Sequence, residues 1–159
     1  MIRIGQSIDV HQLVSNRPLI IGGVNIPHDK GLLGHSDADV LLHAIAEAIL
    51  GALGLNDLGT HFKDNDENTK GMSSLLILKN VYEMMDEKKF IIGNVDSLVI
   101  IEKPHLRPYI EKMRENIANI LNTDISNINV KATCCEKMGF IGKEEGAVAQ
   151  AVVLLVSKE

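Results

Sequence analysis

The spacing of apolar positions changes several times along the chain, and each change marks an element. Ile2, Ile4, Ile8 and Val10 alternate with Arg3, Gly5, Ser7, Asp9 and His11, the period of two expected of a strand with one face buried. Leu19, Ile20 and Ile21 lead into Gly22-Gly23 and then Val24-Asn25-Ile26, which reads as a small hairpin turning at its glycine pair. Residues 30–37 read as loop, and Ser36 with Asp39 has the form of a capping box ahead of an apolar run. That run predicts a helix over 38–53, stopped by Gly54. Residues 56–70 are polar and turn-rich, the kind of long surface loop that carries function. Leu75, Leu78, Tyr82 and Met85 fall at helical spacing, and 95–102 is β-branched and strand-like, stopped by Pro104. Pro108 suits the first turn of a further helix whose inner face is Ile110, Met113, Ile117 and Leu121. Ile128, Val130 and Ala132 alternate again as a strand, a glycine-containing loop covers 136–146, and 147–156 is the last strand. This order of elements belongs to the α+β class, a two-layer sandwich with the helices on one face of the sheet. The apolar run over 151–156 implies burial on both faces, so a neighbouring subunit is expected to cover the face without helices.

Composition narrows the function. The chain has 159 residues, a length expected to form a single domain over 1–159, with 45% hydrophobic and 23% charged residues and a net charge of −5. Aromatic residues make up 3% with no Trp, and an acidic chain poor in stacking side chains is a poor match to a polyphosphate backbone, so no nucleic-acid partner is expected. No apolar stretch is long enough to cross a bilayer, and the first residues resemble neither a signal nor a transit peptide, so no membrane partner and a cytoplasmic location are expected. The two cysteines, Cys134 and Cys135, are adjacent, which excludes a disulfide framework and a paired Cys-x-x-Cys metal site.

Chemistry concentrates in Asp9, His11 and His43. Asp9 and His11 are two apart on the predicted first strand, so their side chains leave the same face with Cα atoms roughly 6–7 Å apart. His43 interrupts an otherwise apolar helix between Leu42 and Ala44. One carboxylate and two imidazoles form a set for a divalent metal with positions open to water or substrate. Spacing leaves zinc and non-haem Fe(II) both open.

These residues belong to a longer series: Asp9-Val10-His11, the run from Gly34 through His35, Ser36, Asp37, Ala38 and Asp39 to Ala44, Asn56-Asp57-Leu58-Gly59, and Phe62-x-Asp64-x-Asp66. Gly93-Asn94-Val95-Asp96 and Lys131-Ala132-Thr133-x-x-Glu136-Lys137-x-Gly139-Phe140-x-Gly142 continue it. From end to end the chain resembles the 2-C-methyl-D-erythritol 2,4-cyclodiphosphate synthases. The resemblance implies a lyase of the non-mevalonate isoprenoid pathway. It would convert 4-diphosphocytidyl-2-C-methyl-D-erythritol 2-phosphate to the cyclic diphosphate and CMP. It further implies a mixed sheet packed around a trimer axis, with active sites between adjacent subunits of a homotrimer. By the same resemblance Asp9, His11 and His43 bind zinc, and Glu136 binds a second divalent ion, Mg²⁺ or Mn²⁺. His35 and Ser36 lie beside the methylerythritol phosphate, with His35 and Cys134 at positions credited with transition-state contact, and Val10 falls within the first motif. Asp57, Leu58, Gly59, Phe62, Lys63, Asp64, Asn65 and Asp66 correspond to the sugar-side pocket. The cytidine and diphosphate side corresponds to Ile101, Glu102, Lys103, Pro104, His105, Leu106 and Arg107 together with Thr133, Cys134, Cys135 and Glu136, with Phe140 and Lys143 nearby.

The chain also departs from this pattern. Ser7 and Ala38 stand where glycine is usual, Cys134 and Cys135 replace a Thr run, His105 stands where Lys is frequent and Lys143 where Arg is usual. A thiol is a weak hydrogen-bond donor, and Lys143 keeps the charge without the bidentate fork of Arg. Two other classes use the same features: an Fe(II) oxygenase on the same three ligands, and a non-enzymatic module binding isoprenoid diphosphates along the trimer axis.

Overall fold

The computed structural model describes residues 1–158. In chain order the strands are β1 (Ile2–Ser15), β2 (Leu19–Ile21), β3 (Val24–Ile26), β4 (Lys30–Leu32), β5 (Phe90–Ile100), β6 (Ile128–Thr133) and β7 (Gly146–Ser157). The helices are α1 (Val40–Leu53), α2 (Leu58–His61), α3 (Ser74–Glu87), α4 (Ile110–Ile120) and α5 (Gly139–Gly142). Five strands form a mixed sheet in the order β4-β1-β7-β5-β6, parallel only between β5 and β6. The α+β class and the layered arrangement are as expected. One sheet face is buried beneath α1, α3 and α4, and its inward positions Ala147, Ala149, Ala151, Val153 and Leu155 on β7 are fully buried.

β1 reverses the expected sides. Ile2, Ile4, Ile8 and Val10 are 66%, 69%, 56% and 53% exposed, whereas Gly5 and Ser7 are buried and face α1. The helix side of this strand is therefore its small and polar side. The cause is close packing: a Cβ on Gly5 would lie 1.9 Å from the Ala48 carbonyl oxygen and 2.7 Å from the Ala52 nitrogen. Only glycine lets the two backbones approach so closely.

Four boundaries differ from expectation for identifiable reasons. Residues 30–32 form β4, antiparallel to Leu13, Val14 and Ser15, a strand too short for alternation to reveal. β5 begins at Phe90 rather than 95 because a bulge between Ile92 and Asn94 shifts the register and breaks the period of two. α1 begins at Val40, not 38, since Ala38 is left-handed at φ 58° and Asp39, not Ser36, is the N-cap. Within 56–70 the chain also forms the short α2. The hairpin is as expected: Gly22 and Gly23, at φ 60° and 72°, provide the two positive-φ positions of a tight turn.

Asp39 ties that hairpin to the helix. Its carboxylate is fully buried and accepts from Leu42 N at 3.1 Å, Gly22 N at 2.9 Å and Gly23 N at 2.7 Å. Burial pushes its pKa up to about 6 despite these three donors, with Asp37 adding repulsion.

Two glycine-to-alanine changes should act in opposite directions. Gly5→Ala forces β1 and α1 apart and is expected to cost about 1–3 kcal/mol or more. Gly51→Ala, where an added Cβ meets nothing within 4 Å, is expected to gain about 0.5–1 kcal/mol from helix propensity. Urea titration of both variants checks the pair, and equal effects would show that the close approach at Gly5 carries no energetic weight.

Candidate metal centre and substrate clefts

Asp9 and His11 leave β1 on the same face, as strand alternation requires, and His43 reaches them from the first turn of α1. Asp9 Oδ2 lies 3.0 Å from His11 Nε2 and 3.2 Å from His43 Nδ1, and these two ring nitrogens are 3.4 Å apart. Among the described residues this is the cluster whose donor atoms can meet one ion. Its members are only partly buried, so the site can be reached from solvent.

The electrostatics are those of a binding site. Burial works against the Asp9 charge, yet His11 and His43, which donate to it when an extra proton is shared among the three groups, outweigh burial and hold the carboxyl well below the usual range. Burial likewise opposes charge on His11, but Asp9 and the Leu33 carbonyl raise its pKa above the ordinary imidazole value. That carbonyl lies 2.8 Å from His11 Nδ1 and accepts its proton, which leaves Nε2 free to coordinate. A carboxylate and two imidazoles converging in this way make a divalent-metal site.

The triad forms one wall of a cleft of about 220 Å³ that also includes His35, Ser36, Leu58, Gly59, Phe62 and Asp64. These expected residues are brought together. The His35 Nε2 lies 3.1 Å from the Asp66 carbonyl, which steadies the ring through the neighbouring loop. Asp57 and Asp66 use their carboxylates locally: Asp57 caps α2 through Thr60, and Asp66 accepts from Asn68. Val10 projects to the opposite sheet face, and Lys63 and Asn65 do not line the cleft.

The other expected group lines a separate, wider cleft of about 800 Å³, comprising Ile101 to Arg107, strand β6 from Val130 and Cys134. Glu102 has a structural task there, accepting from Cys135 N and Lys137 N at 3.1 Å each and so folding the loop that carries Glu136. Glu136 Oε1 lies 3.7 Å from Cys134 Sγ and is not part of the Asp9–His11–His43 cluster. Cys135, Glu136, Phe140 and Lys143 do not line this cleft in the single chain.

One polar residue of the first cleft, Glu47, and two behind it, Ser74 and Asp37, were not anticipated as site residues. Glu47 follows His43 by one turn, accepts from Ser7 Oγ at 2.6 Å and from Leu58 N at 3.1 Å, and lines the cleft. An acidic residue four positions after His43 in an apolar helix was an available signal. Ser74 and Asp37 lie behind His43; Ser73-Ser74 reads simply as a helix start, and Asp37, though inside the Gly34-to-Ala44 run, has no role that its spacing reveals.

Comparison with known proteins places this geometry. The YgbB family model matches residues 2–156. A 2-C-methyl-D-erythritol 2,4-cyclodiphosphate synthase of a Geobacillus species is 59% identical over 99% of this chain and 100% of its own. One of the same name from Clostridioides difficile is 56% identical, covering 97% of this chain and 96% of its own. Among solved structures, the bifunctional IspDF from Campylobacter jejuni superposes with a TM-score of 0.96 at 42% identity over 100% of this chain, which spans 43% of that longer one. The IspF of Plasmodium falciparum, solved as a CDP complex, gives 0.88 at 37% identity over 99% of this chain and 97% of that one. On a family match over nearly every residue, close relatives of a single name and the same fold in solved structures, this chain belongs to the YgbB family of 2-C-methyl-D-erythritol 2,4-cyclodiphosphate synthases.

Proposed function

We propose that this chain converts 4-diphosphocytidyl-2-C-methyl-D-erythritol 2-phosphate to 2-C-methyl-D-erythritol 2,4-cyclodiphosphate and CMP, a lyase step of the non-mevalonate isoprenoid pathway. The observation that carries the reading is the convergence of Asp9, His11 and His43 at one wall of a cleft, in a chain whose relatives bear the synthase's name. Neither an Fe(II) oxygenase nor a binding module finds support among those relatives.

The chemistry needs few protein groups. The nucleophile is the substrate's own 2-phosphate, largely dianionic near neutral pH because its second pKa is about 6. One of its oxygens forms a bond to the β-phosphorus, the bond from that phosphorus to the CMP oxygen breaks, and CMP departs with the electron pair. No general base is required. Residues 1–159 act as a single catalytic domain that folds the substrate so that its two ends meet, an effect of proximity. Zinc on Asp9, His11 and His43 and Mg²⁺ or Mn²⁺ on Glu136 would supply Lewis-acid charge to the phosphates. The donor spacings of 3.0–3.4 Å fit zinc, since vertices of a tetrahedron drawn at about 2.0–2.1 Å stand roughly 3.3 Å apart.

The remaining assignments follow the two clefts. His35 and Ser36 hold the methylerythritol phosphate, with Leu58, Gly59, Phe62 and Asp64 around the sugar-like carbon chain. Ile101 to Arg107 and Thr133 to Glu136 take the cytidine and diphosphate. The two clefts share no lining residue in one chain, so the reading joins one subunit's metal cleft to its neighbour's nucleotide cleft. A cytoplasmic homotrimer would do this by burying the outward apolar face of the sheet, where Ile2, Ile4, Ile8, Val10 and Val152 are exposed in the single chain.

His43→Ala and Asp9→Ala are each expected to lose the bound zinc and to slow CMP release by roughly 10²–10³ or more, while keeping the oligomeric state. Elemental analysis, chromatographic sizing and a CMP assay with and without chelator provide the test. Unfolded variants that still retain zinc would identify the two residues as core groups instead of ligands.

Cys134→Thr tests the main departure from the family. Cys134 is exposed with its thiol toward Glu136, and a hydroxyl at that point donates better than a thiol. One neutral hydrogen bond made only in the transition state, worth about 0.5–1.5 kcal/mol, should raise kcat roughly two- to tenfold with little change in KM. Cys134→Ala should be slower than the parent. Parent-like rates in both variants would assign the contribution to the backbone N–H.

A further inference from the structure

His43 is the one member of the triad carried by a helix, while Asp9 and His11 stand on β1. An imidazole coordinates through Nδ1 only while its proton sits on Nε2, so something must hold that proton. His43 Nε2 lies 2.9 Å from Ser74 Oγ, the first residue of α3. The same Ser74 hydroxyl bonds the Asp37 Oδ1 carboxylate oxygen, and the other oxygen, Oδ2, accepts from Ser74 N at 3.0 Å. Asp37 is itself fixed by its backbone N–H to the Met72 carbonyl at 3.2 Å and by accepting from Asp39 N at 3.2 Å.

Counting protons gives the direction of the chain. Ser74 has a single hydroxyl proton and is fully buried. With that proton donated to the Asp37 carboxylate, Ser74 Oγ can offer His43 only a lone pair. His43 Nε2 must then be the donor, and Nδ1 is left bare, facing Asp9 Oδ2 and His11 Nε2. We infer that Ser74 and Asp37 form a relay that fixes the His43 tautomer and so positions the metal centre. Both are positioning residues, and neither touches the substrate. The inference rests on the reading of Asp9, His11 and His43 as metal ligands.

A plainer role also fits Asp37: it caps the start of α3 through Ser74 N. That role makes no use of the Ser74 hydroxyl, because the N-cap proper is Ser73, whose Oγ accepts from Leu75 N. Ser36 Oγ, 3.2 Å from His43 Nε2, offers a second and longer acceptor. It also lines the cleft, and with Ser74 taking the imidazole proton its own hydroxyl proton is free to point toward a ligand.

Removing an outer partner of a ligating histidine typically weakens metal binding about 10–100-fold. With Ser36 remaining, Ser74→Ala is expected at the lower end, about tenfold, read by zinc competition against a chromophoric chelator. Ser74→Thr, which keeps the hydroxyl, should restore affinity to within about threefold of the parent. The separate readout is ¹⁵N NMR of the His43 ring in the metal-free full-length protein. The parent should show a protonated Nε2 and bare Nδ1, and Ser74→Ala should show a mixture of tautomers. If Ser74→Ala does not fold, Asp37→Asn takes its place with the same two measurements. A parent with its proton on Nδ1, or a loss of affinity with the tautomer unchanged, overturns the relay. Failure of the parent to bind zinc, with the tautomer as stated, overturns the metal reading and leaves the hydrogen-bond chain standing.

Discussion

The contact between β1 and α1 at Gly5 is the constraint on which the site depends. Helix and strand run in opposite directions and meet three times: Gly5 against Ala48 and Ala52, Ser7 with Glu47, and Asp9 with His43. From the Ser7–Glu47 contact to the Asp9–His43 contact, two residues of strand advance about 6.6 Å and four residues of helix about 6.0 Å, so the elements stay in step between them. The helix must lie almost on the strand for side chains as short as Ser and Asp to be met, and the missing Cβ at Gly5 permits that. A larger residue there would lift α1, and His43 with it, away from Asp9 and His11.

This arrangement divides the sheet by face. Its helix side combines an alanine-rich core on β7 with the polar row of β1, so one surface serves both packing and chemistry. The opposite face keeps Ile2, Ile4, Ile8, Val10 and Val152 exposed in the single chain. Burying that face at about 25 cal/mol per Å² would favour association, and the proposed trimer uses the fold's unsatisfied surface to bring two half-sites together.

Much of this was legible in the sequence where a single periodicity governs. Strand alternation placed Asp9 and His11 on one side, and the anomaly of an imidazole in an apolar helix singled out His43. Legibility fails where distant segments compete for the same group. Asp39 rather than Ser36 caps α1 because its carboxylate also meets Gly22 N and Gly23 N across the fold, a contact no local spacing encodes. The Gly93 bulge disguises the first half of β5 by moving its inward positions from Phe90 and Ile92 to Val95, Ser97 and Val99. Reading the exposed face of β1 as its core face has a similar cause, since hydrophobic alternation identifies two faces but does not say which of them a helix covers.

The wiring around the triad explains why it is a binding site and not a self-sufficient ion pair. The Leu33 carbonyl takes the proton of His11, and the relay through Ser74 takes that of His43. With each neutral imidazole's single N–H directed outward, Asp9 Oδ2, His11 Nε2 and His43 Nδ1 present lone pairs to one another at 3.0–3.4 Å. Such an arrangement is repulsive until a cation or a shared proton lies among the three atoms; burial opposes a proton on His11, but the Asp9 carboxylate and the Leu33 carbonyl favour it. The outer hydrogen bonds therefore do more than steady the rings. They keep the centre electron-rich and poorly satisfied by the protein alone, so a divalent ion that binds the folded chain also relieves a strain that folding creates.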